Sequence, residues 1–489
     1  MALHSFHRPA ADEAGTDSSS GPGRRGRRWG QLAAVVFSAV WIVLGWLLSL
    51  DAVGFLVLGI ALVVVFQLGC RRPLRQLVAR DGAGLARSRT GKVGVAAVLL
   101  LIPAYLVVRY ATTWVDNSWL LLLAVGVLLL AYVLLRRVVV AVAITAVLVA
   151  GVMWVQTPRL ARGRSGDPGL LTQLSDPHRM GSLHGYRDLA VATVDLNAAQ
   201  PVRLANIGGT ASTPMEVGSL TKAMTGLVVA DSIRRGELRL DAPVSTYLPQ
   251  LHGAAAGDVT MGELVTHRAG YAEFGAATLR RAAWSAPVGR NWITTSLDQM
   301  MQEVRSGALA TRGSYSYSTL GAATAGQAAA AAAGMSYPEL MRTRLFEPLG
   351  MAATAIQTGH RLVQDGKTAS GLAVQPWVFD AYAPGGAAVS TATDLTILAT
   401  ALLSGTAPGL DALTATASTD QSNTGIGDFW RVTHWQTGQT ITWHNGQTAG
   451  YTSYLGLDRE HHKAVIVLSD VAVDPGTTDL GVGLLAQAR

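Results

Sequence analysis

Residues 216–226, EVGSLTKAMTG, place a serine three positions before a lysine at the start of a predicted helix. Gly218 and Ser219 open the helical pattern, and Gly236 closes it at a C-cap position. Side chains at positions i and i+3 share one face of a helix, so Lys222 is expected beside Ser219. The chain has only four lysines against a large excess of arginine, which makes this placement informative.

The spacing suits a nucleophilic serine, because a hydroxyl attacks only when a base takes its proton. The partial positive charge at a helix start disfavours a protonated amine, so we expect a lowered pKa for Lys222. Arginine does not deprotonate in proteins and could not replace it. The Ser219 N–H would supply one half of an oxyanion hole. The pattern alone leaves another interpretation open, an N-cap serine followed by a solvated lysine.

Strand patterns lie on both sides of a mainly helical middle section, 237–405. YRDLAVATVDL and VRLANIG precede it, while DFWRVTHWQ, TITWHNG, YTSYLGLD and KAVIVLSD follow it, before a final helix at about 476–488. The tract GAATAGQAAAAAAG is expected to form a close-packed helix. We therefore predict an antiparallel sheet assembled from both ends of one domain.

Two further motifs lie downstream, YSTLG at 317–321 and WHNGQTAGY at 443–451. With the first motif they resemble S-x-x-K, Y-x-N, and K-T-G or H-x-G of the class C β-lactamase and low-molecular-weight penicillin-binding-protein superfamily. Four connecting segments resemble that superfamily in the same order: GELRLDAPVSTYLPQL (236–251), TMGELVTHRAGY (260–271), LFEPLGMAATAI (345–356) and APGGAAVSTATDLTILATALLSG (383–405). The resemblance covers about residues 184–489. It implies an α+β domain with an antiparallel sheet flanked by helices, plus a helical subdomain.

The resemblance also implies catalytic roles for three side chains. Ser219 would be the nucleophile and Lys222 its proton partner. Tyr317, as a phenolate or a neutral relay, would activate Ser219 and protonate the leaving group. Tyr315 lies only two residues away, and either tyrosine could instead be a core residue; Tyr317 is chosen because Ser318, Thr319 and Gly321 follow it in the family's register.

The third motif would supply His444 in place of the lysine, Gly446 for close approach of the strand, and the Gln447 N–H as the second oxyanion donor. Two departures from the family pattern affect the substrate. Thr319 stands where an asparagine is usual, so a side-chain amide is missing. His444 is mostly neutral at pH 7, so it is no fixed cation for a substrate carboxylate. Both departures disfavour β-lactam hydrolysis.

The N-terminal third contains five apolar segments long enough to be considered as membrane spans, each of which needs about 17–25 residues. They are 31–50, 52–70, 93–108, 119–135 and 138–155. The first could be a signal peptide, but it lacks a small-residue cleavage site and is predicted to be an uncleaved anchor. Only two arginines separate the last two segments, which leaves four or five spans open. An unbroken helix over 119–155 would be about 55 Å long, so a tight hairpin is favoured.

Arginine clusters before the first segment, after the second and after the fourth fall on one side of the bilayer if there are five spans. The C-terminal part is then extracytoplasmic, in a multi-pass cell-membrane protein. The predicted organisation is a basic cytoplasmic tail (1–29), a transmembrane region (30–156), a polar linker (157–183) and the serine hydrolase domain (184–489).

Composition disfavours several other functions. The single cysteine, Cys70, lies in an apolar segment, so neither a disulfide framework nor a cysteine metal site is expected. The net charge of +7 comes mostly from arginines beside the apolar segments and does not indicate nucleic-acid binding. His461 and His462 have no partner at metal-ligand spacing, and His267 is expected to be structural. We expect no cofactor and no metal, with a small-molecule or peptide substrate and the lipid bilayer as partners.

The sequence thus predicts a membrane-anchored, outward-facing serine hydrolase that forms an acyl-enzyme on amide or ester substrates. Peptidase, D-amino-acid amidase and esterase activities fit its motifs. A β-lactamase or DD-carboxypeptidase is an alternative. A non-catalytic sensor or binding module is an alternative of another class, and Thr319 is the residue that favours it.

Overall fold

A computed structural model describes residues 158–176, 183, 185–435, 438–473 and 476–487. The predicted basic tail and the five apolar segments lie outside these residues. Within the described ranges, every helix is too short or too polar to cross a bilayer.

The main sheet has nine strands and is antiparallel throughout. Its strands in spatial order are β1 (Arg164–Gly166), β3 (Val202–Ile207), β2 (Leu189–Asp195), β14 (Lys463–Ser469), β13 (Thr452–Asp458), β12 (Thr440–Gln447), β11 (Arg431–His434), β10 (Thr424–Ile426) and β9 (Ala417–Ser418). The pairing of β2 with β14 joins the two ends of the domain, as the strand patterns predicted.

Two three-stranded sheets are separate from the main sheet. The first contains β4 (Met215–Glu216), β8 (Ala388–Ser390) and β5 (Ala355–Ile356), and the second contains β15 (Val471–Ala472), β6 (Gly366–Thr368) and β7 (Ala373–Val374). Because β4 lies immediately before the SLTK motif, its pairing with β8 fixes where that motif starts.

The described helices are α1 (Pro168–Leu174), α2 (Leu220–Arg234), α3 (Met261–Val265), α4 (Ala276–Ser285), α5 (Leu297–Ser306), α6 (Thr319–Ala333), α7 (Tyr337–Met341), α8 (Glu347–Leu349), α9 (Ala392–Leu403) and α10 (Gly476–Gln487). A π-helical turn at Arg342–Phe346 joins α7 to α8. Helix α2 is buried on all sides along 220–232, which is typical of a central core helix. The alanine-rich tract forms α6 as predicted, and its small side chains allow close packing on α2.

Helices cover both faces of the sheet. Helix α9 packs on β2 and β14 on one face, while α10 packs on β13 and β14 on the other. Every residue of β13 is consequently buried, including the polar residues Thr452, Ser453 and Asp458. The larger core lies on the α2 and α9 side, where the motif residues also lie.

The predicted linker at 157–183 differs from the structure over part of its length. Residues 164–166 form β1, which pairs with the otherwise open edge of β3. Asp167 then caps α1 by accepting a hydrogen bond from the Leu170 N–H, and Leu170 and Leu174 are buried under the sheet. A polar, Gly- and Pro-containing stretch was expected to stay separate. The stretch folds onto the domain because the edge strand β3 has unpaired backbone groups and because Leu170 and Leu174 become buried against apolar side chains.

Candidate active site

The SLTK motif forms the start of α2, with Ser219 as its N-cap residue. The Ser219 hydroxyl makes no capping bond and instead accepts a hydrogen bond from Lys222 Nζ at 2.9 Å. Lys222 Nζ also donates to the Gly385 carbonyl oxygen at 2.7 Å. The structure therefore brings the serine and the lysine together, as the i, i+3 spacing predicted.

Burial lowers the pKa of Lys222 to about 7, and the charge of Glu273 opposes the shift. The direction agrees with the expectation from the sequence, but the main cause is loss of solvation rather than the helix start. Near neutral pH about half of the Lys222 amine is then unprotonated and able to accept a proton.

Tyr317 lies against both members of this pair. The Ser219 side chain is close enough to lower the pKa of its phenol, against the larger effect of burial, and Lys222 Nζ lies 4.8 Å from the centre of its ring. Burial raises the pKa of the Tyr317 phenol, because no solvent is available to stabilise a phenolate. Of the two forms that the sequence left open, the structure favours the neutral phenol, which can donate a proton.

His267 holds the backbone on both sides of Tyr317. The Ser316 N–H donates to the His267 carbonyl oxygen at 2.8 Å, and the Ser318 N–H donates to His267 Nδ1 at 3.2 Å. The imidazole ring packs 4.7 Å from the Tyr317 ring, centre to centre. His267 has a φ of 56°, in the left-handed region that non-glycine residues seldom adopt. His267 thus has the structural role expected from the sequence, and that role is to hold Tyr317 of the second motif in place.

The third motif lies in β12, directly beside the turn before α2. A Cβ on Gly446 would lie 1.9 Å from the Val217 carbonyl oxygen and 2.9 Å from the Ser219 nitrogen. A Cβ on Gly218 would lie 2.7 Å from the Gln447 nitrogen, and Gly218 has a φ of 51°. Both positions therefore require glycine, and the Ser219 and Gln447 amides are neighbours.

His444 is buried, and its Nδ1 donates to the Asn445 carbonyl oxygen. Burial lowers the pKa of the imidazole to about 3. The ring is therefore neutral at physiological pH, with Nε2 as a hydrogen-bond acceptor. As expected, this residue cannot act as the fixed cation of a third-motif lysine.

Thr319 begins α6, and its N–H donates to the Glu273 carbonyl oxygen at 3.0 Å. A Cβ on Gly385 would lie 2.6 Å from Thr319 Cγ2, so Thr319 packs beside the residue that accepts from Lys222. All seven residues singled out from the sequence therefore surround one region: Ser219, Lys222, Tyr317, Thr319, His444, Gly446 and Gln447.

Comparison with known proteins identifies the family of this domain. The family profile described as Beta-lactamase matches residues 184–488, more than half of the chain. The chain belongs to the Beta-lactamase family. Its enzymes are serine hydrolases, which agrees with the superfamily that the motifs indicated.

Individual relatives are distant. The chain is 28% identical over 185 residues to a Beta-lactamase of Escherichia coli (strain K12), covering 35% of this chain and 39% of that protein. It is 27% identical over 141 residues to a Beta-lactamase of Providencia stuartii, covering 29% and 33%. The matched part of the chain thus spans about two fifths or less of these relatives' lengths.

Solved structures show the same fold. The class C β-lactamase from Rhodobacter sphaeroides superposes with a TM-score of 0.52 at 20% identity, over 61% of this chain and 94% of that chain. The Beta-Lactamase/D-Alanine Carboxypeptidase from Pseudomonas syringae gives 0.53 at 16% identity, over 62% and 94%. At these identities the likeness establishes the α+β fold of the family domain.

Compared with the family motifs, the site contains an additional cation that the sequence analysis missed. Arg431 in β11 pairs in register with Trp443, next to His444, and its guanidinium lies 5.4 Å from the Trp443 ring. Arg431 Nη2 donates to the Tyr315 hydroxyl at 2.9 Å. The positive charge contributes to the low pKa of His444. Only the strand pairing brings this residue close, so spacing along the sequence gave no signal for it.

Proposed function

We propose that this protein is a membrane-anchored serine hydrolase whose catalytic domain faces outward and which acts through an acyl-enzyme on amide or ester substrates. The observation that carries the proposal is the 2.9 Å hydrogen bond between Lys222 Nζ and Ser219 Oγ, made by a buried amine whose pKa is about 7. The anchoring part rests on the five apolar segments of residues 31–155.

The proposed reaction begins when neutral Lys222 takes the proton of Ser219 and Oγ attacks the substrate carbonyl carbon. The negative charge that develops on the carbonyl oxygen would be stabilised by the Ser219 and Gln447 N–H groups. As the tetrahedral intermediate collapses, Tyr317 gives its phenol proton to the leaving group and regains one from protonated Lys222. Water then attacks the acyl-enzyme with the same groups acting in reverse.

We infer the substrate class from the third motif and from Thr319. With neutral His444 and no side-chain amide at 319, the site offers few groups matched to a β-lactam carboxylate and its side-chain amide. Peptide, D-aminoacyl amide or ester substrates are therefore favoured. A β-lactamase or DD-carboxypeptidase is the second candidate. The observation that favours it is Arg431, a cation on the strand next to His444 that could receive a substrate carboxylate.

A fluorophosphonate probe tests the mechanism. Labelling of the detergent-solubilised full chain should occur in the wild type and be lost in Ser219→Ala, with matched thermal stability as the folding control. Equal labelling of both proteins would refute the assignment, and no labelling of either would favour the non-catalytic binding module.

Two further measurements test the substrate and the anchoring. Hydrolysis rates are compared for D-aminoacyl amides, D-Ala-D-Ala peptides, short esters and a chromogenic cephalosporin. We expect the cephalosporin to react more slowly than the best of the other substrates; a dominant cephalosporinase rate would favour the second candidate. In spheroplasts, a tag at the C-terminus should be accessible to added protease. A protected tag would contradict the outward orientation.

A further inference from the structure

Glu216, three residues before Ser219, has a buried carboxylate, with 3% of the residue exposed. The carboxylate accepts three hydrogen bonds, from the Trp377 N–H at 2.6 Å, Gln357 Nε2 at 3.0 Å and the Thr448 hydroxyl at 2.6 Å. Gln357 and Trp377 are neighbours, since Gln357 Nε2 also donates to the Trp377 carbonyl oxygen at 3.0 Å, whereas Thr448 follows β12. The Glu216 side chain therefore joins the strand before the nucleophile to both places.

Thr448 is the residue after Gln447 and organises the turn between β12 and β13. Its hydroxyl accepts from the Tyr451 N–H at 3.2 Å, and its own N–H donates to the Tyr451 carbonyl oxygen at 2.9 Å. The same hydroxyl donates to Glu216. The hydrogen bond from Thr448 to Glu216 therefore joins the segment that contains the Gln447 amide to the segment that contains the Ser219 amide.

The segments that contain Ser219 and Gln447 are in close contact, and a second hydrogen bond joins them. The Ser453 hydroxyl donates to the Val217 carbonyl oxygen at 2.7 Å, on the far side of the turn from Thr448. Gly446 leaves no room for even one methyl group between the segments. A change in the Glu216 bonds would therefore move one amide relative to the other instead of being absorbed by slack packing.

We propose that Glu216 is a positioning residue that sets the separation of the Ser219 and Gln447 amides, and so the geometry of the oxyanion hole. This inference rests on the proposed function, since it assigns these amides to a developing oxyanion. The ionised carboxylate suits the role because both of its oxygens accept, whereas a glutamine would present an NH2 group to at least one of the three donors. Burial raises the pKa of the Glu216 carboxyl to about 7, so the comparison with glutamine is made at about pH 8.5, where the carboxyl is ionised. Loss of this positioning should destabilise the transition state more than the bound substrate, because the uncharged carbonyl oxygen of the substrate depends less on the two amides.

Glu216→Gln tests the proposal in the full chain. The maximal rate of fluorophosphonate labelling should fall about ten- to a hundredfold, while the concentration for half-maximal rate changes less than about twofold. Affinity for phenylboronic acid, whose tetrahedral adduct places an oxygen in the hole, should fall in parallel.

Glu303→Gln is the matched control. Glu303 is also a buried carboxylate, and it accepts three hydrogen bonds, from the Thr278 N–H, the Thr278 hydroxyl and the Tyr382 hydroxyl. None of these bonds involves the strand before Ser219 or the turn after Gln447, so the variant should lose stability without a selective loss of maximal labelling rate. A similar loss in both variants would show that Glu216 is only structural and would overturn the proposal.

Thr448 provides a test that does not require the Glu216 variant to fold. Thr448→Ser keeps the hydroxyl and should label at the wild-type rate, whereas Thr448→Val should show the Glu216→Gln defect. Equal rates for the serine and valine variants would overturn the proposal while leaving the hydrolase assignment intact. Absence of Ser219-dependent labelling in the wild type would overturn both.

Discussion

Replacing Lys222 by methionine is predicted to abolish acylation and, at the same time, to stabilise the folded domain. The pKa of Lys222 falls from 10.5 in the unfolded chain to about 7 in the folded one. At pH 7 nearly every unfolded molecule has a protonated Lys222, whereas only about half of the folded molecules do. Integrated over pH, this difference in bound protons lowers the free energy of unfolding by about 4 kcal/mol at pH 7. Methionine does not titrate, so the variant would not lose this stability.

Methionine also removes two hydrogen bonds. The Gly385 carbonyl oxygen loses its Lys222 donor, at a cost of about 1–3 kcal/mol for a buried acceptor without a partner. The net stabilisation of Lys222→Met at pH 7 should thus be about 1–3 kcal/mol, with no fluorophosphonate labelling. A variant that is more stable but inactive is expected when a catalytic base depends on burial that destabilises its charged form.

The pH dependence provides the decisive measurement. Because the folded pKa of this lysine is lowered, stability should rise as the pH increases from about 7 towards 10.5, where both states are deprotonated. Between pH 7 and 9.5 the wild type should gain about 3 kcal/mol more than Lys222→Met. The carboxyls of Glu216 and Asp428, with pKa values raised to about 7, ionise at the lower limit of this window and contribute equally to both proteins.

Pulse proteolysis of the solubilised full chain in urea measures these free energies of unfolding. Lys463→Met is the control, since Lys463 is the first residue of β14, lies outside the three motifs, and has its Nζ 3.5 Å from Asp195 Oδ2. The reasoning would be refuted if wild type and Lys222→Met showed parallel pH profiles, or if labelling of the wild type did not rise about tenfold per pH unit below 7.

Three further predictions concern the other motifs. Tyr317→Phe should slow acylation by an anilide about a hundredfold but by a p-nitrophenyl ester far less, since only the poor leaving group needs the phenol proton; equal losses would contradict the role of proton donor. His267→Asn, which tolerates positive φ and can accept from the Ser318 N–H, should retain more labelling than His267→Phe; the reverse order would show that ring packing alone matters. Gly446→Ala should reduce labelling more than a hundredfold, because its methyl group would lie 1.9 Å from the Val217 carbonyl oxygen; a wild-type rate would contradict the close contact.

The sequence predicted those parts of the fold that local periodicity determines. The helix after Ser219, the alanine-rich helix and the strands at both ends of the domain follow from residue spacing and turn residues. Residues 164–174 of the predicted linker form β1 and α1, which the sequence did not predict, since nothing local shows that the edge of β3 is open to another strand. The membrane segments stay a prediction.

Sequence by itself determined that Ser219 and Lys222 share one helix face, because three residues make nearly one turn whatever surrounds the helix. Only the tertiary structure decided the chemistry of that pair. The low pKa of Lys222, the neutral phenol of Tyr317 and the meeting of the Ser219 and Gln447 amides depend on solvent exclusion and strand pairing between distant segments. Burial and long-range pairing arise only when the whole domain packs, and so they leave no local pattern in the sequence.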